Sequence, residues 1–486
     1  MNLIDGVVAY FAPAAGKRRV QARMAIEALS HFRASTIPRR SGSVRAVAGD
    51  ADAVATRSRR EIALIARDMV RNNGLAARAV ESLVNAIVGT GIEPKLVTAD
   101  ESLRSEWAAK RRMLDAGGID PDTGLSLSAI QRLAVRAMIT DGECLLVCHR
   151  EPGPNGFMQV RLLEMDYLDD RMQGRAANPA NAIYDGIEYG PDNRPVAYHI
   201  YDEHPGSAVW HPNWRGLVSK PVDASRVIHL YRADRPGQRR GISWLAPVLD
   251  DLVAIADNDE AQLLRQKIAA CFAGFWRTER PASEAGIPSD LSPGLIQQIG
   301  MDDEVQFAEP PGVTGYDDFS RIHLRRIATG IGCTYEALTG DLSGVNFSSA
   351  RIGRIEHAQS VEAWQWTLVI PKLCTPMGQW IREAWSYEPR ADERGRAALL
   401  AALAAARIEH TPPPPVIADP KAETEVAIRK IEAGLSSRPS EIRKMGYEPA
   451  EIDAEIAGDA QIRRGLAELT RQSAPITERK ERDLDV

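Results

Sequence analysis

The sequence predicts an α+β protein that is mainly helical and has several domains. Its 486 residues are too many for one ordinary domain and leave room for sizeable apolar cores. Apolar residues recur at helical spacing through most of the chain, and aromatic residues are scarce, at 6%. Runs of strand-like composition fall mostly within 143–230. We therefore expect long helices and one small mixed β region.

Charge and cysteine content disfavour several classes of protein. Lys and Arg number 60 against 66 Asp and Glu, and the formal net charge of −6 disfavours a protein that grips nucleic acid through a basic surface. The five cysteines are an odd number in a sequence without a secretory signal, which favours a reducing compartment such as the cytoplasm. Because no apolar run approaches the roughly 18 residues that span a bilayer, we expect neither secretion nor a membrane span.

The first half of the chain predicts an arm, four helices and several strands. Residues 1–55 lack sustained periodicity and predict a mobile arm. Residues 56–88 follow helical spacing with a break at Asn72-Asn73-Gly74, which predicts a helical hairpin. Further helices are expected at about 103–114 and 128–139. Strands are expected at 143–149, 159–163, 182–189, 196–201 and 226–230.

Two long helices with a short insertion between them are expected next. Ser243 is a suitable N-cap for a helix that continues to Ala270, about 42 Å long at 1.5 Å per residue. A segment with several prolines separates this helix from a second one at 317–338. A loop rich in Gly, Ser and Asn follows at 340–349.

The last part of the chain predicts a third long helix and a helical C-terminal region. The helix covers 350–385, and Pro371 and Pro376 are expected to disturb it. The run Thr411-Pro-Pro-Pro-Pro415 predicts a stiff linker. Beyond it we expect short helices over 420–468, broken at Gly434, Gly446 and Gly458, and a frayed tail from residue 470 onwards.

No motif of a common enzyme class is present. Gly16-Lys17 is followed by Arg18 and lacks the earlier glycine of a phosphate-binding loop. Gly330-Ile-Gly332 lacks the third glycine of a dinucleotide fingerprint and predicts a helix interruption instead. No Gly-x-Ser-x-Gly elbow or His-Glu-x-x-His pair occurs, and His229 and His357 are expected to be structural. The sequence thus predicts no catalytic residue and no cofactor.

The candidate metal ligands favour structural roles. Cys144 and Cys148 would point the same way in a strand at about 13 Å from each other, too far apart to share one ion. We expect them to be buried thiols. Asp169-Asp170 and Asp302-Asp303-Glu304 lack a ring of further oxygen ligands and are expected to be solvated turns. No metal site is predicted.

The first of the two long helices has an acidic face. Its charged residues are five acidic and two basic side chains: Asp250, Asp251, Asp257, Asp259, Glu260, Arg265 and Lys267. One interpretation is an ordinary solvated face. The other is a wall along which a polyanion moves without being held by its phosphates.

Four stretches in the same order resemble the lambda-type family of tailed-phage portal proteins. Arg67–Gly74 resembles an early helix and turn of the family, and Arg235–Leu249 resembles the segment that enters its long central helix. Leu338–Arg351 is similar to the loop before its next helix. The proline run Pro412–Pro415 and the later Gly446-Tyr447 match the order of its C-terminal region. The order of the four is more specific than any one of them.

The resemblance implies a portal-like subunit with an α/β wing, a two-helix stem, a small clip insertion and a helical crown. The implied divisions of the chain are a flexible N-terminal arm at 1–55, the wing at 56–242, stem helix 1 at 243–270, the clip at 271–316, stem helix 2 at 317–338, the tunnel loop and long wing helix at 339–391, and the crown with the C-terminal tail at 392–486.

The resemblance also implies three sets of site residues. The DNA-facing set comprises the tunnel loop and two arginines after it: Gly340, Asp341, Ser343, Gly344, Asn346, Ser348, Ser349, Arg351 and Arg354. The channel-wall set lies on the first stem helix: Asp250, Asp251, Asp257, Asp259, Glu260 and Lys267. The partner surface of the clip includes Arg277, Asp302, Asp303 and Glu304.

Portals are rings, usually of 12 subunits, through which double-stranded DNA is packaged and ejected. The resemblance therefore implies a virion protein at one capsid vertex, assembled in the bacterial cytoplasm without a membrane. Its implied partners are the terminase large subunit, a head-completion adaptor and the major capsid or scaffold protein. It implies no enzymatic activity.

Two alternatives stay open at this point. One is a metal-dependent DNA-processing enzyme, such as a nuclease, that uses Asp302-Asp303-Glu304 with Mg²⁺. The other is a ring-forming scaffold that never contacts DNA.

Overall fold

A computed structural model shows an α+β protein in which helices dominate, as the sequence predicts. The structure describes residues 49–56, 58–149, 158–207, 218–271, 275–277, 304–306, 316–344, 347–388, 393–413, 420–445, 447 and 449–472.

The described α-helices range from five to 24 residues in length. In chain order they are α1 (Ala51–Ala55), α2 (Ser58–Asn72), α3 (Gly74–Ile87), α4 (Glu101–Gly117), α5 (Leu127–Asp141), α6 (Leu249–Cys271), α7 (Tyr316–Ile331), α8 (Tyr335–Thr339), α9 (Phe347–Trp364), α10 (Thr375–Ser386), α11 (Glu393–Ala405), α12 (Pro420–Glu432), α13 (Arg438–Lys444) and α14 (Pro449–Gln472). A π-helix, Gln365–Cys374, joins α9 to α10.

The strands are short and pair in small sheets. They are β1 (Glu93–Val97), β2 (Glu143–His149), β3 (Gln159–Glu164), β4 (Gly174–Arg175), β5 (Ala182–Tyr184), β6 (Ile187–Tyr189), β7 (Pro195–Tyr201), β8 (Ser219–Asp223), β9 (Val227–Tyr231), β10 (Phe275–Arg277), β11 (Glu304–Gln306) and β12 (Arg407–Thr411). Five antiparallel strands form one sheet in the order β4-β5-β6-β7-β8, and β2 lies between β3 and β9 in another.

The described residues divide into two compact units. The first unit combines the chain before Val84, Arg136–Cys144, and the chain from Tyr231 through the loop after α8. The second combines Val84–Val135, Leu145–Leu230 and the chain from α9 onwards.

The end of the predicted arm is folded in the first unit, so the boundary at residue 55 is wrong. The Asp50 carboxylate caps α1 by accepting a hydrogen bond from the Ala53 N–H at 2.6 Å. Asp52 is buried and accepts from the Arg239 N–H at 3.1 Å. Burial raises the pKa of the Asp52 carboxyl. Residues 1–48 of the predicted arm lie outside the described residues.

A fully buried ion pair is at the centre of the first unit. Arg240 and Glu143 each expose only 1% of their side chains and are joined in a forked ion pair. The Arg240 Nε–H donates to Glu143 Oε1 at 2.7 Å, and the Gly241 N–H donates to Oε2 at 2.8 Å. This geometry satisfies both carboxylate oxygens, which is what a buried charge pair requires.

Glycines allow the backbone to approach this pair closely. A Cβ added to Gly241 would lie 2.0 Å from the Gly142 carbonyl oxygen. Gly142 itself has a φ of +100°, and a Cβ there would lie 2.4 Å from the carbonyl carbon of Ile242. The two glycines therefore set the spacing between the start of β2 and the segment before α6.

The second unit has an apolar core built mainly from strands of its two larger sheets. Leu145, Val147, Leu163, Ile187 and Ile200 belong to one buried cluster. The run predicted as one strand at 182–189 is a hairpin, β5–β6. Its two turn residues, Asp185 and Gly186, have φ values of +47° and +78°, as a tight two-residue turn requires.

The long wing helix is interrupted, as its prolines predict. It begins at Phe347, three residues earlier than expected, and is wound as a π-helix around Pro371. Pro371 has no N–H to donate, so the wider turn accommodates its ring. Pro376 lies in the first turn of α10, where a missing N–H is tolerated.

The C-terminal helices follow the predicted order with one correction. Gly434 ends α12 with a φ of +70°, and the Leu435 N–H donates to the Lys430 carbonyl. Gly458 lies inside α14 instead of breaking it, so that predicted break is wrong. Gly446 lies outside the described residues.

A two-stranded sheet in the second unit was not predicted. Strands β1 and β12 pair antiparallel over five residues each, with Pro94 opposite His410. His410 is buried, and neither ring nitrogen has a hydrogen-bond partner among the described residues. Burial without such partners lowers the pKa of His410 to about 4.

His410 is expected to make the second unit less stable as the pH falls from about 6.5 to about 4. In this range the unfolded chain binds a proton that the folded chain does not, so stability rises with pH. The expected loss is at most about 3 kcal/mol. Urea unfolding of wild type and His410→Leu at pH 4.5 and 7 measures it. The same pH dependence in both proteins would contradict this role.

Candidate functional site

The two predicted stem helices form an antiparallel hairpin, and both helices are shorter than expected. The first helix begins at Leu249, six residues later than expected. The Ser243 hydroxyl donates to the Ile139 carbonyl at 3.3 Å and accepts from the Leu245 N–H at 3.2 Å, so it caps a turn that precedes the helix. At 23 residues α6 is about 34 Å long. The second predicted helix, 317–338, is divided: α7 ends at Ile331, Gly332 has a φ of +88°, and α8 follows. The predicted interruption at Gly330–Gly332 is confirmed.

The base of the hairpin is an apolar contact. Leu252 and Ile255 of α6 are buried, as are Ile327 and Ala328 of α7. A Cβ added to Gly330 would lie 2.3 Å from the Val248 side chain, so a glycine is needed where the helices approach.

Charged contacts hold the two helices in register. The Asp251 carboxylate lies 3.3 Å from His323 Nδ1 and 3.2 Å from an Arg326 nitrogen. Farther along, the Tyr316 hydroxyl donates to Asp259, and this bond raises the pKa of Tyr316. Asp251 exposes 15% of its side chain and faces α7. The prediction that it lines an open wall is therefore wrong.

The other predicted wall residues are on the surface of the isolated chain. Asp250, Asp257, Asp259, Glu260 and Lys267 are all exposed. Asp250, Asp257, Glu260 and Lys267 are on the part of α6 that faces away from α7, since successive residues turn by 100°, whereas Asp259 contacts Tyr316 of α7. The helix thus presents a broad acidic surface.

The predicted tunnel loop begins as an ordered turn. Gly340 is left-handed, with a φ of +73°, and ends α8. Asp341 accepts from the Ser343 N–H at 2.9 Å and from its hydroxyl at 2.6 Å. The Tyr335 hydroxyl also donates to Asp341 at 3.2 Å. The Ser343 hydroxyl bond is the main cause that lowers the pKa of Asp341.

The second half of the predicted loop is mostly helix. Gly344 is exposed and Asn346 lies outside the described residues, whereas Ser348 and Ser349 are in the first turn of α9. The predicted loop end at residue 349 is therefore wrong. Arg351 and Arg354 are exposed on α9.

Only two short strands of the predicted clip are described. Strands β10 and β11 pair antiparallel, and Arg277 is directly opposite Glu304. The topology therefore brings together two of the four predicted partner residues. Asp302 and Asp303 lie outside the described residues.

Sequence reasoning missed one cluster of metal-type ligands, Glu164, Asp166 and His204. Glu164 and Asp166 are close in the chain, but His204 follows only 38 positions later, so no ligand spacing reveals the cluster. His204 Nε2 lies 3.4 Å from Glu164 and 3.9 Å from Asp166. The Gly206 N–H donates to Nδ1, so the neutral ring carries its proton on Nε2. Metal-bound histidines instead donate from the second nitrogen, and we assign no metal to this cluster.

Other polar candidates have structural partners. Asp169 was expected in a solvated turn, but it is buried and accepts from the Ser219 hydroxyl at 2.7 Å, so that expectation is wrong. Cys144 and Cys148 are buried thiols in β2, as predicted. His229 packs edge-on against Tyr198, with ring centroids 5.7 Å apart.

Among the described residues, we find no helix that has both the length and the apolar character to cross a membrane.

The chain is similar to two phage proteins and to a chain of one solved particle structure. A probable portal protein of Halomonas phage phiHAP-1 is 26% identical over 449 residues, covering 85% of this chain and 83% of that protein. Portal protein B of Escherichia phage lambda is 22% identical over 465 residues, covering 82% and 83%. A chain from the neck of an empty GTA particle is 15% identical, covers 84% of this chain and 97% of its own length, and has a TM-score of 0.42.

The decisive comparison is with a family model. The model described as phage portal protein, lambda family, matches residues 38–365, well over half of the chain. The matched range includes the hairpin, the loop after it and all of α9 with its exposed arginines. The chain belongs to the lambda family of phage portal proteins.

Proposed function

We propose that 12 copies of this chain close into a ring at one vertex of a phage capsid, and that double-stranded DNA passes through the ring during packaging and ejection. The family assignment carries this proposal and supports a portal over the metal-dependent DNA-processing enzyme. The ring would dock the terminase large subunit and later a head-completion adaptor at the clip, and would contact the major capsid or scaffold protein. It is a virion component assembled in the bacterial cytoplasm, without catalysis of its own.

The exposed charges suit a passage that does not hold DNA. Each chain has a formal net charge of −6. Asp250, Asp257, Asp259 and Glu260 of α6 are exposed, and we place this surface on or beside the channel. Acidic side chains repel phosphates, so no strong contact arrests the DNA. In this arrangement Arg351 and Arg354 supply brief phosphate contacts.

Electron microscopy of the purified protein tests the ring directly. We expect class averages with a closed ring and a central opening of about 20 Å or more, since B-form DNA needs about that width. A protein that stays monomeric at high concentration, or a ring with a closed centre, would refute the proposal. Rings that package no DNA in a phage assembly assay would favour the scaffold that never contacts DNA.

Arg351→Glu is expected to leave ring assembly unchanged and to reduce the number of DNA-filled heads by about tenfold or more, because a glutamate in every copy repels the phosphates that the arginine contacts. Arg351 is exposed on α9, so the chain should fold normally. Counting full and empty heads by microscopy measures the effect. Arg175→Glu, the same change at an exposed residue of β4, is the matched control. Normal filling in the Arg351 variant would remove this residue from the DNA path.

A further inference from the structure

The two helices of the hairpin have exposed seams that differ in charge. The acidic seam on α6 consists of residues spaced alternately by four and three: Asp250, Ala254, Asp257, Ala261 and Leu264. The basic seam on α7 has the same spacing, with Arg321 beside it: Asp318, Arg321, Ile322, Arg325 and Thr329. Every one of these residues is exposed in the isolated chain.

The spacing of both seams is that of helices that pack against another helix. Alternating steps of four and three keep one stripe of side chains on a single face. Leu264 and Ile322 are each 57% exposed, although they lie on these stripes. The helices α6 and α7 contact each other through other faces than the seams. Those contact faces include the buried residues Ile255 and Ile327. The seams are therefore separate from the contact between α6 and α7.

The contacts within the hairpin show which residues of the two seams lie at the same height along the hairpin axis. Asp251 contacts His323 and Arg326, and Tyr316 contacts Asp259. This register places Arg325 level with Asp250 and Ile322 level with Ala254. Arg321 is then between the levels of Asp250 and Asp257, about 5 Å from each along the axis at 1.5 Å per residue.

We propose that the acidic seam of one copy binds the basic seam of the next copy in the ring. The inference rests on the proposed function. A head-to-tail ring needs two different patches on each subunit that complement each other, and the hairpin has both at the same level. Arg325 meets Asp250 of the next copy, Arg321 meets its Asp257, and Ile322 packs on the small side chain at Ala254.

Charge decides in favour of a second copy as the occupant. An acidic seam repels DNA. The arginines of the basic seam, in contrast, are attracted to the acidic seam of another copy. The arrangement places Asp250 and Asp257 at the contact between copies, beside the channel. It leaves Glu260, on another part of the α6 surface, to face the opening.

Two charge-reversed variants test the pairing. In the first, Arg321→Glu and Arg325→Glu make both seams acidic. In the second, Asp250→Arg and Asp257→Arg make both seams basic. Each variant alone should need at least about tenfold more protein than wild type to form rings, because like charges then meet at every contact. An equal mixture should assemble as wild type does, since alternating copies restore every opposite-charge contact.

Mass photometry and negative-stain microscopy measure ring formation, and circular dichroism confirms folding. Arg104→Glu with Arg112→Glu, two exposed positions on α4, is the matched control and should assemble normally. Folded variants that each assemble like wild type, or that fail to assemble when mixed, would overturn the seam pairing. So would an equal defect in the control. A wild-type chain that forms no ring refutes the proposed function instead.

Discussion

Glu143→Gln is expected to lower the free energy of unfolding by about 3–5 kcal/mol, the cost of leaving a buried charge without its partner. Arg240 exposes 1% of its side chain, so water cannot replace the lost carboxylate. The Gly241 N–H, which donates to Glu143 Oε2 at 2.8 Å, also loses its charged acceptor. Urea unfolding followed by circular dichroism measures the change.

An exposed ion pair provides the control for this variant. Arg438 and Asp453 expose 48% and 55% of their side chains, so Asp453→Asn should cost less than about 1 kcal/mol. The double variant Glu143→Leu with Arg240→Met should recover much of the loss, because no charge is left buried. If Glu143→Gln costs no more than Asp453→Asn, the pair does not stabilise the fold as we argue.

Gly241→Ala is expected to prevent stable folding of the first unit, at a cost above about 4 kcal/mol. The new Cβ would lie 2.0 Å from the Gly142 oxygen and 2.9 Å from the Tyr231 Cβ. Both neighbours are held in place, because the Gly142 N–H donates to the Met138 carbonyl and the Tyr231 hydroxyl donates to the Gln238 carbonyl. The backbone must therefore shift and separate Arg240 from Glu143. Soluble yield and thermal unfolding measure the effect.

Gly237→Ala separates backbone strain from the steric clash. Gly237 has a φ of +80°, but no atom lies within 4 Å of an added Cβ. Its replacement should cost only about 1–2 kcal/mol, the strain of a left-handed alanine. Equal losses at Gly237 and Gly241 would show that conformation alone, and not the close approach, requires glycine at position 241.

Local patterns predicted the type of most elements, and long-range contacts decided where those elements end. The break at Asn72-Asn73-Gly74 separates α2 from α3, because the Asn73 side chain accepts from the Leu75 N–H at 2.9 Å. Ser243 had the residue type of an N-cap. Its hydroxyl accepts from the Leu245 N–H of a turn and also donates to the Ile139 carbonyl, more than 100 positions away in the chain, and α6 begins later.

The candidate site was predictable in its location but not in its contacts. The acidic residues of α6 were visible in the sequence, whereas the burial of Asp251 depends on Arg326 and His323 of another helix. The predicted loop was read from its Gly, Ser and Asn content. That composition also suits the hydrogen-bonded turn at Asp341. The spacing of these residues in the sequence does not distinguish such a turn from a flexible segment.

Pairing of β1 with β12 has a consequence for synthesis on the ribosome. Residue Leu96 is translated more than 300 residues before its partner Ile408. At about 5–20 residues per second, β1 waits on the order of 15–60 s for the strand that completes its sheet. A nascent chain that stalls before Arg407 therefore has an unpaired edge, which makes truncated products of this gene candidates for chaperone binding or degradation.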